Sequence, residues 1–505
     1  MLHERQISSH RLLFHHSGAW DNPAIMPACL KPPVRLLSLC LLLMLAACGT
    51  LPKSALQKGE LPAPLAASLT QAGIPASSLA LEVRSVEGGS LVSHNAQQAF
   101  NPASVMKLLT TAAALDLLGP SHRWITRVHA NGTLNGDVLQ GDLFIEGGGD
   151  PRFAHEDLSR LLRRLRAMGV REIRGDLVLD RSLFEVPAID PAAFDGAPAR
   201  AYNALPDALL LDARALNVRL VPDLLTRQVR ISAEPPMQGF SMTPPVLTDE
   251  ACNHLREQLR PVLQGHALRF EGSFPAACGE RLLALHAYTL DASQYFDAVF
   301  RQLWSELGGH LTGQVRDGRV EAGAKEWLRW ESLTLAEIIR DINKHSNNVM
   351  ARQLLISLAS QRGGQPATAA AGSERVLGWL AASHIDTASI VIENGSGLSR
   401  TERISADALA QLLIREWKSP LMPEFIASLP LAGVDGTMSR RTAPAGVQGN
   451  AHIKTGSLAD VASMAGYLTA KSGRRMIVVC MINHPQAAAA RAGFDQLLQW
   501  IYETY

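Results

Sequence analysis

Residues 453–482 read IKTGSLADVASMAGYLTAKSGRRMIVVCMI. Three strand-like segments lie here, at 453–457, 461–469 and 476–482, with turn signals at Leu458-Ala459-Asp460 and Lys471-Ser472-Gly473 between them. Residues 487–505 follow with the spacing of an amphipathic helix. An antiparallel meander closed by a terminal helix makes the fold class α/β (α+β), a sheet flanked by helices. At the other end of the chain, residues 78–83 and 89–94 read as a hairpin around Glu87-Gly88-Gly89 that can complete the same sheet. Asn101-Pro102 then opens a segment dense in apolar residues, 103–118, which Gly119-Pro120 ends, the pattern of a buried helix.

Between these two blocks the texture changes. From about residue 121 come short strands with turn signals at Asn131-Gly132, Asn135-Gly136 and Gly147-Gly148-Gly149-Asp150-Pro151, interrupted by an amphipathic helix at 156–167 with leucines at 158, 161, 162 and 165. This mostly-β insertion runs to about residue 288, and helical texture returns at 293–307. Residues 331–358 read as two helices meeting near Lys344-His345-Ser346-Asn347-Asn348.

The chain of 505 residues is long enough for two or three domains. Its 48 Lys+Arg against 47 Asp+Glu leave a net charge of +1, which gives no electrostatic basis for binding nucleic acid. Only nine of the 48 cations are lysines, so each lysine is more informative than usual. The N-terminal region holds a short basic stretch (Lys31, Arg35), an apolar run at 36–45 and then Leu45-Ala46-Ala47-Cys48, a signal peptide with a small-residue cleavage site. That run is well short of the ~20 residues a spanning helix needs. The Leu-Ala-Ala-Cys ending resembles the lipobox of bacterial lipoproteins, making Cys48 the expected lipid anchor and membrane contact. The uncharged Gly49 after it implies, by the same analogy, outer-membrane sorting. Residues 1–25 fit no signal pattern, so translation starts at Met1 or at Met26.

An exported chain meets an oxidising compartment, where Cys252 and Cys278, 26 residues apart among loops, are a candidate disulfide. Cys480 sits inside an apolar run and reads as a buried, inert thiol. Neither Cys-x-x-Cys nor His-Glu-x-x-His occurs, so no metal site and no cofactor are expected.

The chemistry centres on Ser104-Val105-Met106-Lys107 at the start of the predicted helix. Spacing of three puts hydroxyl and amine on one helical face. A serine hydroxyl needs a neighbour to take its proton, and a lysine can do so only when burial or a second cation lowers its pKa. Arginine could not serve, because it does not deprotonate in proteins. Alone, Ser-x-x-Lys is a weak pattern, although Lys107 is the only one of the nine lysines that has Ser three places before it. Two further motifs support it: Ser346-Asn347-Asn348 in the helix-to-helix connection, and Lys454-Thr455-Gly456 on the first strand of the meander. Each has an ordinary reading, as a helix cap and as a strand with a glycine at a close approach.

In the order Ser-x-x-Lys, Ser-x-Asn, Lys-Thr-Gly, these motifs are the signature of penicillin-recognising serine enzymes. The chain resembles the class C low-molecular-mass penicillin-binding proteins, the D-alanyl-D-alanine carboxypeptidase/endopeptidase family. About 242 residues separate Ser104 from Ser346, as in a family with large inserted domains. Family-like blocks follow: Gly147-Gly148-Gly149-Asp150-Pro151, Asn394-Gly395-Ser396-Gly397-Leu398-Ser399-Arg400, and Leu431-Ala432-Gly433-Val434-Asp435-Gly436-Thr437. Asn394 stands where the family usually has Asp.

The resemblance implies a penicillin-binding/β-lactamase-like transpeptidase domain in two segments, 48–120 and 289–505. An N-terminal extension and lipoprotein signal peptide (1–47) precede it, and an inserted mostly-β region (121–288), as one domain or two nested subdomains, divides it. It implies an acyl-enzyme on Ser104 with Lys107 as base, peptidoglycan stem peptides as substrates and β-lactams as covalent inhibitors. Ser346 would pass the proton to the leaving amine and Asn348 would orient Lys107. Lys454 and Thr455 would hold the terminal carboxylate beside Gly456, and the N–H groups of Ser104 and Ser457 would form the oxyanion hole. Arg400 matches the family position that holds the diaminopimelate side chain, and Asp195 is the expected partner of its amine. A β-lactamase would need a dedicated deacylating base, and none is identifiable. A Ser-His-Asp hydrolase would need a Gly-x-Ser-x-Gly elbow, which is absent.

Overall fold

The computed structural model describes residues 60–360, 365–439, 441 and 444–505. Cys48 and the signal peptide expected at 1–47 lie outside the described residues. Among the described residues no helix is long and apolar enough to cross a membrane.

One five-stranded antiparallel sheet organises the part of the chain that carries the three motifs. Its order is Ser90–His94, Leu79–Ser85, Arg475–Asn483, Val461–Thr469 and Ala451–Leu458, so the N-terminal hairpin does join the C-terminal meander. The unbroken apolar run at 476–482 reflects a central strand covered on both faces. Ile477, Val479 and Met481 pack into a core with the helices Lys107–Leu118, Leu335–His345, Asn348–Ser357 and Ala406–Lys418. Met476, Val478, Cys480 and Ile482 point the other way, against the terminal helix Arg491–Thr504 and the first helix Ala63–Gln71. Cys480 is fully buried, which pushes its thiol pKa up and keeps it inert.

The inserted region has two separate cores, nested in chain order. The outer one contains Val128, Leu158, Leu161, Leu162 and Leu165 together with Tyr295, Phe300 and Trp304. The inner one contains Val218, Leu220, Leu268, Phe274 and Cys278. The outer core continues beyond the expected limit at residue 288. The helix Ala292–Glu306 packs in it, and Val315–Asp317 and Lys325–Glu331 are the two edge strands of its five-stranded sheet. Sequence texture placed that limit too early because a helix follows residue 288, and the helix belongs to the insertion. Cys252 and Cys278 are joined within the inner part, with Sγ–Sγ at 1.96 Å.

Closing a 26-residue separation restricts the unfolded chain. Replacing both cysteines with serine is expected to lower unfolding free energy by about 3 kcal/mol, measured by urea denaturation under oxidising conditions.

Candidate active site

Ser104 does not sit in the α-helix proper. A 3-10 turn, Ala103–Met106, precedes the helix Lys107–Leu118. In 3-10 winding residues i and i+3 eclipse, which aligns Ser104 with Lys107 better than the α-helix expected from sequence. The turn is fixed at its entrance by asparagines. Asn101 Oδ1 accepts from Ala103 N at 2.9 Å, and Asn101 N donates to Asn483 Oδ1 at 2.7 Å on the central strand. Ser463 Oγ donates to Pro102 O at 2.6 Å from the neighbouring strand. The nucleophile turn is therefore tied to the sheet, which limits its freedom to move during reaction.

Lys107 is fully buried. Its Nζ lies 3.0 Å from Ser104 Oγ and 2.5 Å from Asn348 Oδ1, and it also donates to Ser396 O. As a neutral amine it spends its two N–H groups on the two carbonyl acceptors, leaving its lone pair for the Ser104 hydroxyl proton. Burial, then the cation of Lys454, holds its pKa well below that of an ordinary lysine, partly opposed by Glu402, with Arg352 adding to the depression. Lys454 is also fully buried, and burial lowers its pKa to about 7. Its Nζ lies 2.9 Å from Ser346 Oγ and donates to Thr455 O at 2.7 Å. Ser346 itself is in the left-handed region (φ 56) at the end of the helix Leu335–His345. Lys344 Nζ meets Asp435 Oδ2 at 2.5 Å beside it, tying the 431–437 block to this connection.

Two glycines make room for this packing. A Cβ on Gly456 would lie 2.3 Å from Ser463 Oγ and 2.8 Å from Ser104 N, which accounts for glycine in Lys-Thr-Gly. On Gly397 (φ +81) a Cβ would fall 1.8 Å from Ala103 O and 2.6 Å from Ser104 N.

Sequence reasoning missed Glu402. Its buried carboxylate accepts from the backbone N–H groups of Asn394 (3.0 Å), Gly395 (2.7 Å) and Gly397 (2.8 Å), so it shapes the loop whose Ser396 carbonyl receives Lys107. Burial raises its pKa, while those backbone bonds and Lys107 oppose the rise. The available signal was an acid just after a Gly/Ser run whose N–H groups need an acceptor. Asn394 takes its own part in this loop. Its Oδ1 accepts from Ser396 N at 3.0 Å and its Nδ2 donates to Leu398 O at 3.0 Å, a bond an Asp carboxylate could not make.

The remaining predicted residues divide. Thr455 Oγ1 lies 3.0 Å from Thr437 Oγ1, and Ser457 is exposed on the edge strand. Arg400 borders a cavity of about 400 Å³ between the 185–206 segment and the 352–401 segment, donates to Asp460 Oδ1 at 3.1 Å and stacks over Phe194. Asp195 is not brought to that cavity. Its carboxylate accepts from Tyr202 Oη at 2.5 Å, Asn203 Nδ2 at 2.9 Å and Ala197 N at 3.1 Å, which commits it to its own loop. The acids that line the cavity are Glu185, Asp190 and Glu393. Among the described residues the metal-type grouping is His155, Glu156 and Asp212. There Asp212 already accepts from His155 N at 3.1 Å and meets its Nδ1 at 3.0 Å, as a helix cap does.

Because Gly397 presses on the nucleophile turn, Gly397→Ala is expected to slow acylation of Ser104 by about a hundredfold or more, as a misplacement on the order of 1 Å would. Stopped-flow acylation rates with a chromogenic penicillin, beside circular dichroism, would check this.

The family model described as "D-Ala-D-Ala carboxypeptidase 3 (S13) family" matches residues 61–504. A D-alanyl-D-alanine carboxypeptidase of an Actinomadura species is 29% identical over 415 residues, covering 77% of this chain and 75% of that protein. D-alanyl-D-alanine carboxypeptidase DacB of Haemophilus influenzae is 26% identical over 390 residues, covering 75% and 80%. The crystal structure of penicillin binding protein 4 (dacB) from the same organism superposes with a TM-score of 0.71 at 23% identity, covering 87% of this chain and all of that one, a likeness of fold. With a family model matching residues 61–504, around a serine and a buried lysine in contact, the chain belongs to the D-Ala-D-Ala carboxypeptidase 3 (S13) family of serine enzymes.

Proposed function

We propose that this D-Ala-D-Ala carboxypeptidase works through an acyl-enzyme on Ser104 with Lys107 as general base. The observation that carries the reading is the Lys107 amine held between two carbonyl acceptors and the Ser104 hydroxyl. As Ser104 Oγ attacks the carbonyl carbon of the D-Ala-D-Ala bond, its proton moves to Lys107 Nζ. The oxyanion develops against the N–H groups of Ser104 and Ser457. Collapse breaks the C–N bond, and the leaving amine takes a proton from Ser346, whose hydroxyl is refilled by the proton that Lys107 received, so that Lys107 is neutral again and Lys454, in contact with Ser346, keeps its charge. Water, deprotonated by the restored Lys107, then cleaves the ester. Lys454 and Thr455 receive the terminal carboxylate of the substrate, and the cavity beside Arg400 receives the side chain of the third stem residue.

The same site would cut a D,D cross-link, where the leaving amine belongs to a second stem rather than to free D-Ala. A β-lactam would enter the same path and stop at the ester, in keeping with a related fold whose structure is described as complexed with a novel β-lactam. The leader ending in Leu-Ala-Ala-Cys supports export and a lipid anchor on Cys48, and Gly49 supports outer-membrane sorting.

Ser104→Ala is expected to abolish both labelling by fluorescent penicillin and release of D-Ala from a stem pentapeptide. Continued release of D-Ala would overturn the mechanism, and rapid turnover of nitrocefin by the wild type would favour a β-lactamase instead. The pH dependence follows from the two lysines. Lys107 acts deprotonated, so kcat/KM rises with pH through its depressed pKa, well below the ordinary lysine range. Lys454 acts protonated, so activity falls as pH passes its own, about 7 in the free protein. Lys454→Met removes the neighbouring cation and is expected to move the rising limb for penicillin acylation to higher pH.

A further inference from the structure

The loop at 394–397 separates a buried amine from a buried carboxylate by the thickness of one peptide. Its carbonyls face the helix Lys107–Leu118: Gly395 O accepts from Thr110 Oγ1 at 2.7 Å, and Ser396 O accepts from Lys107 Nζ. Its N–H groups face the other way, toward Glu402. Oε1 accepts from Glu393 N at 3.3 Å, Asn394 N at 3.0 Å and Gly395 N at 2.7 Å, and Oε2 accepts from Gly397 N at 2.8 Å. Donors on both oxygens favour the ionised form. Ser396 O and Gly397 N belong to the same amide. Lys107 and Glu402 are therefore hydrogen-bonded to opposite ends of a single peptide group, its oxygen toward the amine and its N–H toward the carboxylate.

The carboxylate is also fixed against the nucleophile. Two residues beyond it, Ile404 pairs with Phe100, next to the Asn101 that holds the nucleophile turn. Around Lys107 the charges are few. Lys454 on the edge strand and Arg352 on the helix Asn348–Ser357 both oppose a positive charge there, and Glu402 favours one. Glu402 itself faces Lys107, and it also acts on Arg352. A base that stayed neutral would need no anion. Once Lys107 has taken the Ser104 proton it is an ammonium buried near two other cations, a costly state without a counter-charge. Hydrogen bonds in series through one amide polarise each other, so the carboxylate strengthens the carbonyl as an acceptor while that charge develops.

We propose that Glu402 is the counter-charge of the reaction, a positioning residue that aims the Ser396 carbonyl at Lys107 and, through the Ser396–Gly397 peptide, stabilises the ammonium formed as Ser104 attacks. This rests on the reading of Lys107 as general base. The proton passes from Ser104 Oγ to Lys107 Nζ and on to Ser346, while Glu402 keeps its N–H donors throughout and exchanges no atom.

The test is the pH dependence of acylation by a chromogenic penicillin in excess, whose first-order rate constant reports only the molecules that react. Glu402→Gln keeps the shape and removes the charge. Its rising limb is expected about one pH unit below that of the wild type, with a plateau rate about three- to tenfold lower, since a weaker base drives the proton transfer less. Glu402→Asp and Glu402→Asn make a second pair of equal shape, in which the neutral member is again expected to have the lower limb. That pair carries the test if Glu402→Gln does not fold. A limb at the same pH in both members of each pair, while Lys454→Met still moves it upward, would overturn the proposal and leave Glu402 as a support that lowers the rate without moving the profile. Failure of the underlying reading looks different, because a limb that moves in none of these variants, Lys454→Met included, overturns Lys107 as the base along with the proposal.

Discussion

A lysine side chain with no exposure to water imposes a condition on everything around it. A charged ammonium there would need three acceptors and a counter-charge, whereas a neutral amine needs two acceptors and has one lone pair to offer. The surroundings of Lys107 meet the second condition: Asn348 and Ser396 supply the acceptors and Ser104 faces the lone pair. Each of these comes from a different part of the chain. The 3-10 turn brings Ser104, the junction of two helices brings Asn348, and the loop gathered by Glu402 brings the Ser396 carbonyl. Gly397 and Gly456 close in on the backbone of the same turn, where a Cβ on either would meet Ser104 N.

Lys454 closes the arrangement from the sheet side. Two buried lysines cannot both be charged at little cost, so a proton held by one weakens the hold of the other. That coupling suits the division of labour proposed above, in which one amine serves as base and the other as the cation for a carboxylate, from two residues of the same type. The sheet holds both in place, because Lys454 lies on its edge strand and the next two strands anchor the nucleophile turn through Ser463 and Asn483.

Much of this was legible in the sequence where a residue's chemistry and its spacing agree. The meander at 453–482, the N-terminal hairpin and the three motifs were all readable, since alternating or continuous apolar runs and short spacings are local properties. Glu402 was not, because an acid eight places after Asn394 has no meaning until the loop folds around it. The helices Ala369–Ala382 and Ala406–Lys418 also escaped, the first being alanine-rich with little contrast between its faces. The end of the insertion was misplaced because Ala292–Glu306 resembles any helix of the catalytic part until its packing against Leu158 and Leu162 is known. Asp195 was assigned by analogy of position, and its hydrogen bonds to Tyr202 and Asn203 give it local work instead.

The insertion departs and returns at one point. Ile125 pairs with Glu331, and next to them Trp124 N donates to Ser332 Oγ at 3.0 Å while Ser332 N donates to Trp124 O at 3.0 Å. A two-stranded doorway of this kind lets about two hundred residues be added to a chain, or taken from it, without rerouting the elements on either side. Lengthening or shortening the β-rich part therefore leaves the elements that hold Ser104, Lys107 and Lys454 connected as before, so its size is set independently of the chemistry those elements carry.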